Sequence, residues 1–268
     1  MSTLERFALA TRQLARRAGA AILEIYAGSF AVEQKADDSP LTAADMASHR
    51  IIVAGLQELT PDIPVLSEES KHIDWQTRRA WDRYWLVDPL DGTREFVKRN
   101  GEFTVNIALI ENHAPVLGVV LPPVTGALYY GVAGDGAFLE NAPGALPQPI
   151  ATRAAASVPV VAGSRSHGSD RQAAFLANLG EHTLMSVGSS IKFCMVARGD
   201  ADLYLRLGLT SEWDTAAAQC VLEQAGGAVL DLQGAPLRYN TKESLLNPEF
   251  LAIGDASVDW LARLGLRA

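Results

Sequence analysis

The chain has 268 residues, of which 48% are hydrophobic and 20% charged, and its formal net charge at pH 7 is −8. This balance is typical of a folded globular protein, and it argues against a broad nucleic-acid surface, because binding to a phosphate backbone requires clustered Lys and Arg. Cys194 and Cys220 are the two cysteines, too few for a disulfide framework, so the sequence predicts a reducing cytoplasm as the location.

The N-terminal segment predicts an amphipathic helix. Ser2-x-x-Glu5 is typical of a capping box, and apolar residues then recur at helical spacing until Gly28. The segment has no continuous apolar run of the kind found in secretion signals or membrane spans. Core packing explains its apolar face, and a loose association with the inner face of a membrane stays open.

A second helix is predicted to begin at Thr42-x-x-Asp45, after a short strand candidate over 30–34 and a loop that contains Lys35. Asp45 has two interpretations. In the first helical turn it complements the helix dipole, which is a sufficient structural reason for its presence. Alternatively, Lys35 and Asp45 flank a metal centre. The residues alone favour the cap.

Two short apolar runs are followed directly by acidic residues, which is how a buried strand delivers carboxylates to its end. Residues 64–67 precede Glu68, and residues 85–87 precede Asp88 and Asp91, between which Pro89 is predicted to fix a turn.

The residues around Asp91 add further candidate contacts. Hard divalent cations such as Mg²⁺ prefer carboxylate and carbonyl oxygens, so the Leu90 carbonyl is a further candidate ligand. The main-chain N–H groups of Gly92 and Thr93 can bind an anion at the start of the helix that follows.

The pattern of the chain changes at its middle. Three β-rich runs over 103–132 predict an antiparallel meander, with a hairpin turn at Gly134-Asp135-Gly136. Prolines and a glycine over 141–149 then mark a boundary. The later elements are predicted to be strands at 158–162, 183–187, 201–207 and 228–232, and helices at 169–179, 189–198 and 213–224. The sequence therefore predicts an α+β domain over 1–145 and an α/β domain over 146–268.

Asp214 lies in the first turn of the helix predicted at 213–224, where an acidic residue would ordinarily complement the helix dipole. Together with Glu68, Asp88 and Asp91, however, it belongs to a set in which every member sits at a strand end or a helix start. Carboxylates that converge from separate elements repel each other unless cations lie between them. Two metal ions about 4 Å apart would stabilise the attacking and leaving oxygens of an in-line displacement at phosphorus.

These segments resemble a known family. Asp88-Pro-Leu-Asp-Gly-Thr93 and Trp213-Asp-Thr-Ala-Ala217 are similar to the two signatures of the inositol monophosphatase superfamily of Mg²⁺-dependent, lithium-sensitive phosphatases, and Glu68 matches its upstream Glu-Glu motif. Gly163-Ser-Arg-Ser-His167 and Gly188-Ser-Ser-Ile-Lys-Phe-Cys194 most resemble its 3'(2'),5'-bisphosphate nucleotidase branch. The resemblance implies the layered α-β-α-β-α sandwich of the inositol monophosphatase and fructose-1,6-bisphosphatase type.

The resemblance also implies an activity, the removal of the 3'-phosphate of 3'-phosphoadenosine 5'-phosphate to give AMP and phosphate. A metal-activated water would attack in line, without a covalent enzyme intermediate. Thr93, paired with Glu68, would position that water, and Asp45 would support it or a third, weaker metal.

The remaining implied contacts fall into two sets. The ligands of two or three Mg²⁺ ions would be Glu68, Asp88, the Leu90 carbonyl, Asp91 and Asp214. The substrate contacts would be Gly92, Thr93, His167, Ser189, Lys192 and Arg206. Lys192 and Arg206 fit a substrate with two phosphates, because they supply compensating charge and Arg can bind a phosphate bidentately.

Two departures from the family pattern concern substrate choice more than metal binding: Ala218 stands where the family usually has Gly, and Leu209 where the branch commonly has Pro. Two other functions stay open. One is an inositol-phosphate or sugar-phosphate phosphatase with the same metals, and the other is a non-catalytic phospholigand sensor. A Ser-His-Asp hydrolase is disfavoured because the sequence has no Gly-x-Ser-x-Gly motif. The oligomeric state, monomer or homodimer, also stays open.

Overall fold

The computed structural model describes residues 2–29, 31–34, 40–70, 72–164 and 170–267. Within these ranges the helices are α1 (Thr3–Ala27), α2 (Ala43–Leu59), α3 (Trp75–Arg78), α4 (Thr93–Val97), α5 (Asp170–Ala177), α6 (Ile191–Ala197), α7 (Glu212–Gln224) and α8 (Trp260–Arg263). The strands are β1 (Val32–Gln34), β2 (Pro40–Thr42), β3 (Val65–Ser67), β4 (Arg83–Asp91), β5 (Thr104–Glu111), β6 (Ala114–Leu121), β7 (Leu128–Val132), β8 (Gly136–Glu140), β9 (Gln148–Ile150), β10 (Val160–Ser164), β11 (Thr183–Val187), β12 (Leu203–Arg206), β13 (Ala228–Asp231) and β14 (Phe250–Ile253).

The predicted capping box of α1 and the predicted cap at the start of α2 are both confirmed. Glu5 N–H donates to Ser2 Oγ at 3.1 Å at the start of α1, and Thr42 N–H donates to Asp45 Oδ2 at 2.8 Å at the start of α2. These side chains satisfy N–H groups that have no partner inside the helix, so they fix where each helix begins. None of the helices in the described ranges combines the length and the apolar composition that a bilayer-spanning segment needs.

The first sheet has the strand order β3-β4-β5-β6-β7-β8-β9. Only β3 and β4 pair in parallel among these strands, and the others pair antiparallel. The predicted meander is confirmed by β5, β6 and β7, and the predicted hairpin by the pairing of Val132 with Gly136. β9 lies after residue 145 and still pairs with β8, and the domain division at 145/146 stays a prediction.

The turn predicted at Pro89 is wrong. β4 continues as a strand from Arg83 to Asp91, and its pairing with β5 becomes irregular between Asp88 and Asp91. Proline has no N–H to donate to a sheet, and such an irregularity accommodates it. The two aspartates therefore lie on a single strand end rather than on either side of a turn.

The second sheet has the order β11-β10-β12-β14-β13. The predicted α/β alternation accounts for β10, β11 and β12, which pair in parallel. The alternation did not predict β14, which lies between β12 and β13 and pairs antiparallel with both. The sheet is therefore mixed rather than parallel.

Alternating side chains along the strands divide the core into layers. Trp85 and Val87 of β4 pack with α1 and α2 on one face of the first sheet. Tyr84 and Leu86 face the opposite way and share a core with α6, α7 and one face of the second sheet. The other face of the second sheet packs against α5 and α8, with Trp260 fully buried there. The resulting α-β-α-β-α sandwich is the architecture that the resemblance implied.

Helix α7 lies unusually close to the first sheet. A Cβ atom on Gly118 of β6 would lie 2.1 Å from the Ala217 carbonyl oxygen, and one on Gly131 of β7 would lie 2.8 Å from that of Cys220. Ala218 is fully buried in the same contact layer. Small residues on both sides let the helix backbone rest on the strands, which brings the start of α7 to the end of β4.

Candidate metal centre

Three aspartates converge where β4 ends and α7 begins. Asp88, Asp91 and Asp214 each offer one carboxylate oxygen, and these oxygens lie within 4.8 Å of one another. Asp88 is buried, whereas Asp91 and Asp214 are partly exposed. Several carboxylates at this spacing are a donor set suited to a hard divalent cation, which takes oxygen ligands.

Glu68 lies beside this cluster and its charge acts on Asp88 and Asp214. It follows β3, which runs parallel to β4 with Ser67 beside Val87, and Glu68 N–H donates to the Val87 carbonyl at 3.0 Å. Because adjacent parallel strands end at the same edge of a sheet, Glu68 lies next to Asp88. The two strand ends that the sequence singled out are therefore neighbours.

The cluster is electrostatically unfavourable by itself. The pKa of Asp88 lies well above its usual range, because burial opposes ionisation and because the charges of Glu68, Asp91 and Asp214 repel a further negative charge. The pKa of Asp214 is raised in the same way, first by removal from water and then by Asp91 and Glu68. A cation between the carboxylates would reverse this repulsion, so the residues present fit a metal centre.

Asp45 reaches this cluster through Thr93. Thr93 Oγ donates to Asp45 Oδ1 at 3.1 Å and lies 3.3 Å from the Leu90 carbonyl oxygen. The other carboxylate oxygen of Asp45 accepts hydrogen bonds from Thr42 N–H and Oγ–H. Asp45 is 1% exposed. It caps α2, as predicted, and it also fixes the hydroxyl of Thr93, whereas its place beside a metal centre stays a prediction.

Two serines fix the Asp91 carboxylate by hydrogen bonds. Its Oδ2 accepts from Ser189 Oγ at 2.5 Å and from Ser190 N–H at 2.8 Å. Ser190 Oγ–H has two acceptors in reach, Asp91 Oδ2 at 2.8 Å and the Asp214 carbonyl at 2.9 Å. Ser189 was predicted to contact substrate, and in this structure its hydroxyl contacts Asp91 and Thr104.

Ser190 is a residue that the sequence reasoning missed. Its Oγ accepts from Asn106 Nδ2 at 2.8 Å, so it connects β5 with both aspartates. The available signal was the Ser-Ser pair at 189 and 190, of which only the first matched a substrate position of the family.

Lys192 and Arg206 lie near the aspartates in different environments, Lys192 interacting with Asp91 and Arg206 with Asp214. Lys192 is 4% exposed, and its Nζ donates to the Ser189 carbonyl at 2.7 Å and to the Val187 carbonyl at 3.3 Å. Burial lowers the pKa of Lys192 to about 8, and the charges of Asp91 and Arg206 also act on it. Arg206 is partly exposed, and its guanidinium donates to the carbonyls of Gly208 and Leu209.

Gly92 makes the turn between Asp91 and α4. Its φ of +92° lies in the left-handed region, and a Cβ atom would lie 3.1 Å from the Glu102 carbonyl oxygen. Glycine is therefore required here by both conformation and space. Its carbonyl accepts from the Glu95 and Phe96 N–H groups, which fixes the start of α4 beside Thr93.

The remaining predicted residues lie elsewhere. His167 and Lys35 fall outside the described residues. Leu209 is 77% exposed. Ala218 is buried, so the methyl group that replaces the usual glycine packs in the core that α7 shares with both sheets.

Comparison with known proteins identifies the family of this chain and agrees with its fold. Residues 3–257 match the model of the inositol monophosphatase family. The 3'(2'),5'-bisphosphate nucleotidase CysQ of Salmonella typhimurium is 55% identical over 240 residues, which cover 89% of this chain and 96% of that protein. CysQ of Escherichia coli strain K12 is 53% identical with the same coverage. The crystal structure of CysQ from Bacteroides thetaiotaomicron superposes with a TM-score of 0.83 at 43% identity and covers 93% of this chain and 97% of that one.

Proposed function

The chain belongs to the inositol monophosphatase family, and from this premise we propose that it is a 3'(2'),5'-bisphosphate nucleotidase. The reaction is removal of the 3'-phosphate of 3'-phosphoadenosine 5'-phosphate, giving AMP and phosphate. Relatives at 53% and 55% identity over nearly their whole length carry that activity in their names. The observation that carries the proposal is the convergence of Asp88, Asp91 and Asp214 within 4.8 Å.

Enzymes of this family depend on metal ions, and we propose that the ions here are two or three Mg²⁺. The candidate ligands are Glu68, Asp88, the Leu90 carbonyl, Asp91 and Asp214. The raised pKa of Asp88 and of Asp214 supports this assignment, because burial and like charges create a demand for positive charge. When bound, the ions would supply positive charge that polarises the phosphate and the attacking water.

Thr93 and Asp45 are proposed to orient the attacking water. Since the Thr93 hydroxyl donates its proton to Asp45 Oδ1, the Thr93 oxygen presents lone pairs that can accept a hydrogen bond from water. Asp45 is itself fixed by Thr42, so the hydroxyl is held in one direction. Glu68 is the candidate proton acceptor beside them.

The other polar groups near Asp91 are proposed to bind phosphate. Gly92 and Thr93 N–H groups would contact the 3'-phosphate, and Lys192 and Arg206 would balance the charge of the 5'-phosphate. The electrostatic interactions of Lys192 with Asp91 and of Arg206 with Asp214 support this assignment. Ser189 and His167 complete the proposed substrate contacts.

The location proposed for this enzyme is the cytoplasm, where a small phosphorylated nucleotide would be its substrate. Support comes from Cys194 and Cys220, which are both buried and unbonded to each other. A reducing compartment keeps cysteines in this state.

The test is phosphate release from 3'-phosphoadenosine 5'-phosphate and from inositol 1-phosphate, measured side by side with Mg²⁺ alone and with added Li⁺. We expect faster turnover of the bisphosphate and inhibition by Li⁺. Faster turnover of inositol 1-phosphate would overturn the substrate in favour of the inositol-phosphate alternative. Binding of the bisphosphate without turnover would favour the non-catalytic sensor.

A further inference from the structure

The first turn of α7 carries two acidic residues in different surroundings. Asp214 belongs to the metal centre, whereas Glu212 is 1% exposed and its Oε2 accepts from Asn240 N–H at 2.8 Å. Asp214 Oδ2 also accepts from Ser211 N–H at 2.9 Å. The orientation of the Asp214 carboxylate is therefore tied to the backbone at the start of this helix.

The loop over residues 239–247 holds that backbone. Besides the contact from Asn240, the Leu245 carbonyl accepts from Glu212 N–H at 2.8 Å. Asn247 Nδ2 donates to the Ser211 carbonyl at 2.7 Å. Three separate contacts from one loop thus fix the first turn of α7.

Arg78 in turn holds this loop. Its guanidinium is buried, donates to Asn240 Oδ1 at 2.7 Å and also donates to the Glu243 carbonyl. Asn240 Nδ2 returns a hydrogen bond to the Arg78 carbonyl at 2.6 Å. Because Arg78 ends α3 in the connection between β3 and β4, a continuous polar chain links the strands that deliver Glu68 and Asp88 to the helix that delivers Asp214.

This polar chain is not optimised for stability. Glu212 Oε1, Arg78 Nε and the Tyr84 hydroxyl are buried without a hydrogen-bond partner among the residues that the structure describes. An unsatisfied buried polar group costs about 1–3 kcal/mol of folding free energy. Apolar residues of similar volume often stabilise a core as much as buried charged residues do. The presence of Glu212 therefore calls for a reason other than stability.

We propose that Glu212 is a positioning residue, which acts with Asn240 and Arg78 to set Asp214 at the correct distance from Asp88 and Asp91 for a divalent cation. The inference rests on the proposed metal-dependent function, but it concerns ion affinity rather than the chemical step. Removal of a group that orients a metal ligand, without binding the metal itself, typically weakens metal affinity by about 10–100-fold.

The test compares three variants by calorimetric titration of the substrate-free protein with Mg²⁺, together with the melting temperature of the metal-free form. Glu212→Ala removes the acceptor for Asn240 N–H, whereas Glu212→Gln keeps an oxygen acceptor in its place. Asn240→Gly removes the amide that binds Arg78 and suits the local φ of +52°. Glu58→Ala, at an exposed position of α2, is the matched control.

We expect Glu212→Ala to weaken Mg²⁺ binding by about 10-fold or more, Asn240→Gly to weaken it as well, and Glu212→Gln and Glu58→Ala to stay near the wild type. The value of kcat at saturating Mg²⁺ should fall far less than the affinity. Unchanged Mg²⁺ affinity in Glu212→Ala, whatever its melting temperature, would overturn the inference, as would an equal loss in Glu212→Gln. If Glu212→Ala does not fold, unchanged affinity in Asn240→Gly overturns it.

The two proposals fail differently. Wild-type protein that binds Mg²⁺ but hydrolyses neither phosphate ester would refute the proposed function. The Mg²⁺ affinities of the variants would then still decide the positioning role. Wild-type turnover combined with unchanged Mg²⁺ affinity in the variants would refute the positioning role alone. Wild-type protein that binds no Mg²⁺ would refute both.

Discussion

Buried aspartates occur in two regions of this molecule, under opposite electrostatic conditions. Asp202, just before β12, is 2% exposed and accepts hydrogen bonds from Arg153 Nε and Nη2 and from the Ala156 and Val160 N–H groups. Burial alone would raise the pKa of Asp202, but these donors outweigh it and hold that pKa below its usual range. At the metal centre, the pKa values of Asp88 and Asp214 are raised instead.

The difference separates a carboxylate that is paired within the chain from carboxylates that have no such cation. Asp202 has a cation from its own chain, and its hydrogen bonds tie the loop before β10 to β12. Among the described residues, no Lys or Arg forms an ion pair with Asp88, Asp91 or Asp214. The folded chain therefore holds these carboxylates together against their repulsion, which a bound cation would relieve.

The largest effect should come from Asp91→Asn. The amide keeps an oxygen for Ser189 and Ser190 but removes a charge that the cations require. We expect kcat on 3'-phosphoadenosine 5'-phosphate to fall on the order of 10³-fold, as for loss of a preorganised electrostatic contact. The melting temperature of the metal-free protein should stay the same or rise, because repulsion is reduced. The same change at exposed Asp135 is the control, and near-normal activity in Asp91→Asn would refute the ligand assignment.

Asp202→Ala should affect stability instead. The substitution leaves the Val160 and Ala156 N–H groups without their acceptor, so we expect a loss of about 2–3 kcal/mol in the free energy of unfolding by urea. Mg²⁺ affinity should not change. Asp200→Ala is the matched control, because Asp200 pairs with Arg198 at the surface and such pairs contribute about 1 kcal/mol or less. Equal losses in the two variants would contradict the structural role of Asp202.

The same contrast explains what could be predicted from sequence. Ser2 and Glu5, like Thr42 and Asp45, act within one helical turn, so their spacing alone predicted where both helices begin. The convergence of acidic residues at the candidate metal centre could be predicted because these residues follow apolar runs or begin a strong helix. Asp202 carries no such signal, because nothing nearby in the sequence distinguishes it from Asp200.

Long-range contacts account for most of what was missed. Arg78 and Asn240 are 162 residues apart in the chain, and no periodicity connects two such positions. The strand β14 has only four residues, too few for its apolar pattern to be told from a turn of buried helix. At Pro89 the error was different: proline predicts a turn locally, but the pairing of β4 with β5 continues to Asp91 around an irregularity.

The pH dependence of stability should also have opposite signs in the two regions. Above pH 3.8, the usual pKa of an aspartate, a carboxyl group whose pKa is raised by folding keeps its proton more in the folded state than in the unfolded state. Its contribution to stability therefore falls as the pH rises. Asp202 has a lowered pKa, so its contribution is present above 3.8 and is lost as the pH falls below that value. Bound Mg²⁺ would lower the folded pKa of Asp88 and Asp214 and remove their effect.

The smallest expected effect therefore appears when unfolding by urea is followed between about pH 5 and 8, with EDTA and with Mg²⁺. In EDTA, burial and the repulsion among Asp88, Asp91 and Asp214 should make the free energy of unfolding decline as the pH rises. With Mg²⁺ this decline should disappear, because cations stabilise the ionised carboxylates.

In Asp91→Asn the decline should be smaller even in EDTA, since one of the repelling charges is gone. Asp202→Ala should keep the wild-type slope. Identical slopes with and without Mg²⁺ would mean that the clustered carboxylates do not bind the ion, and the contrast between the two regions would then have a different cause.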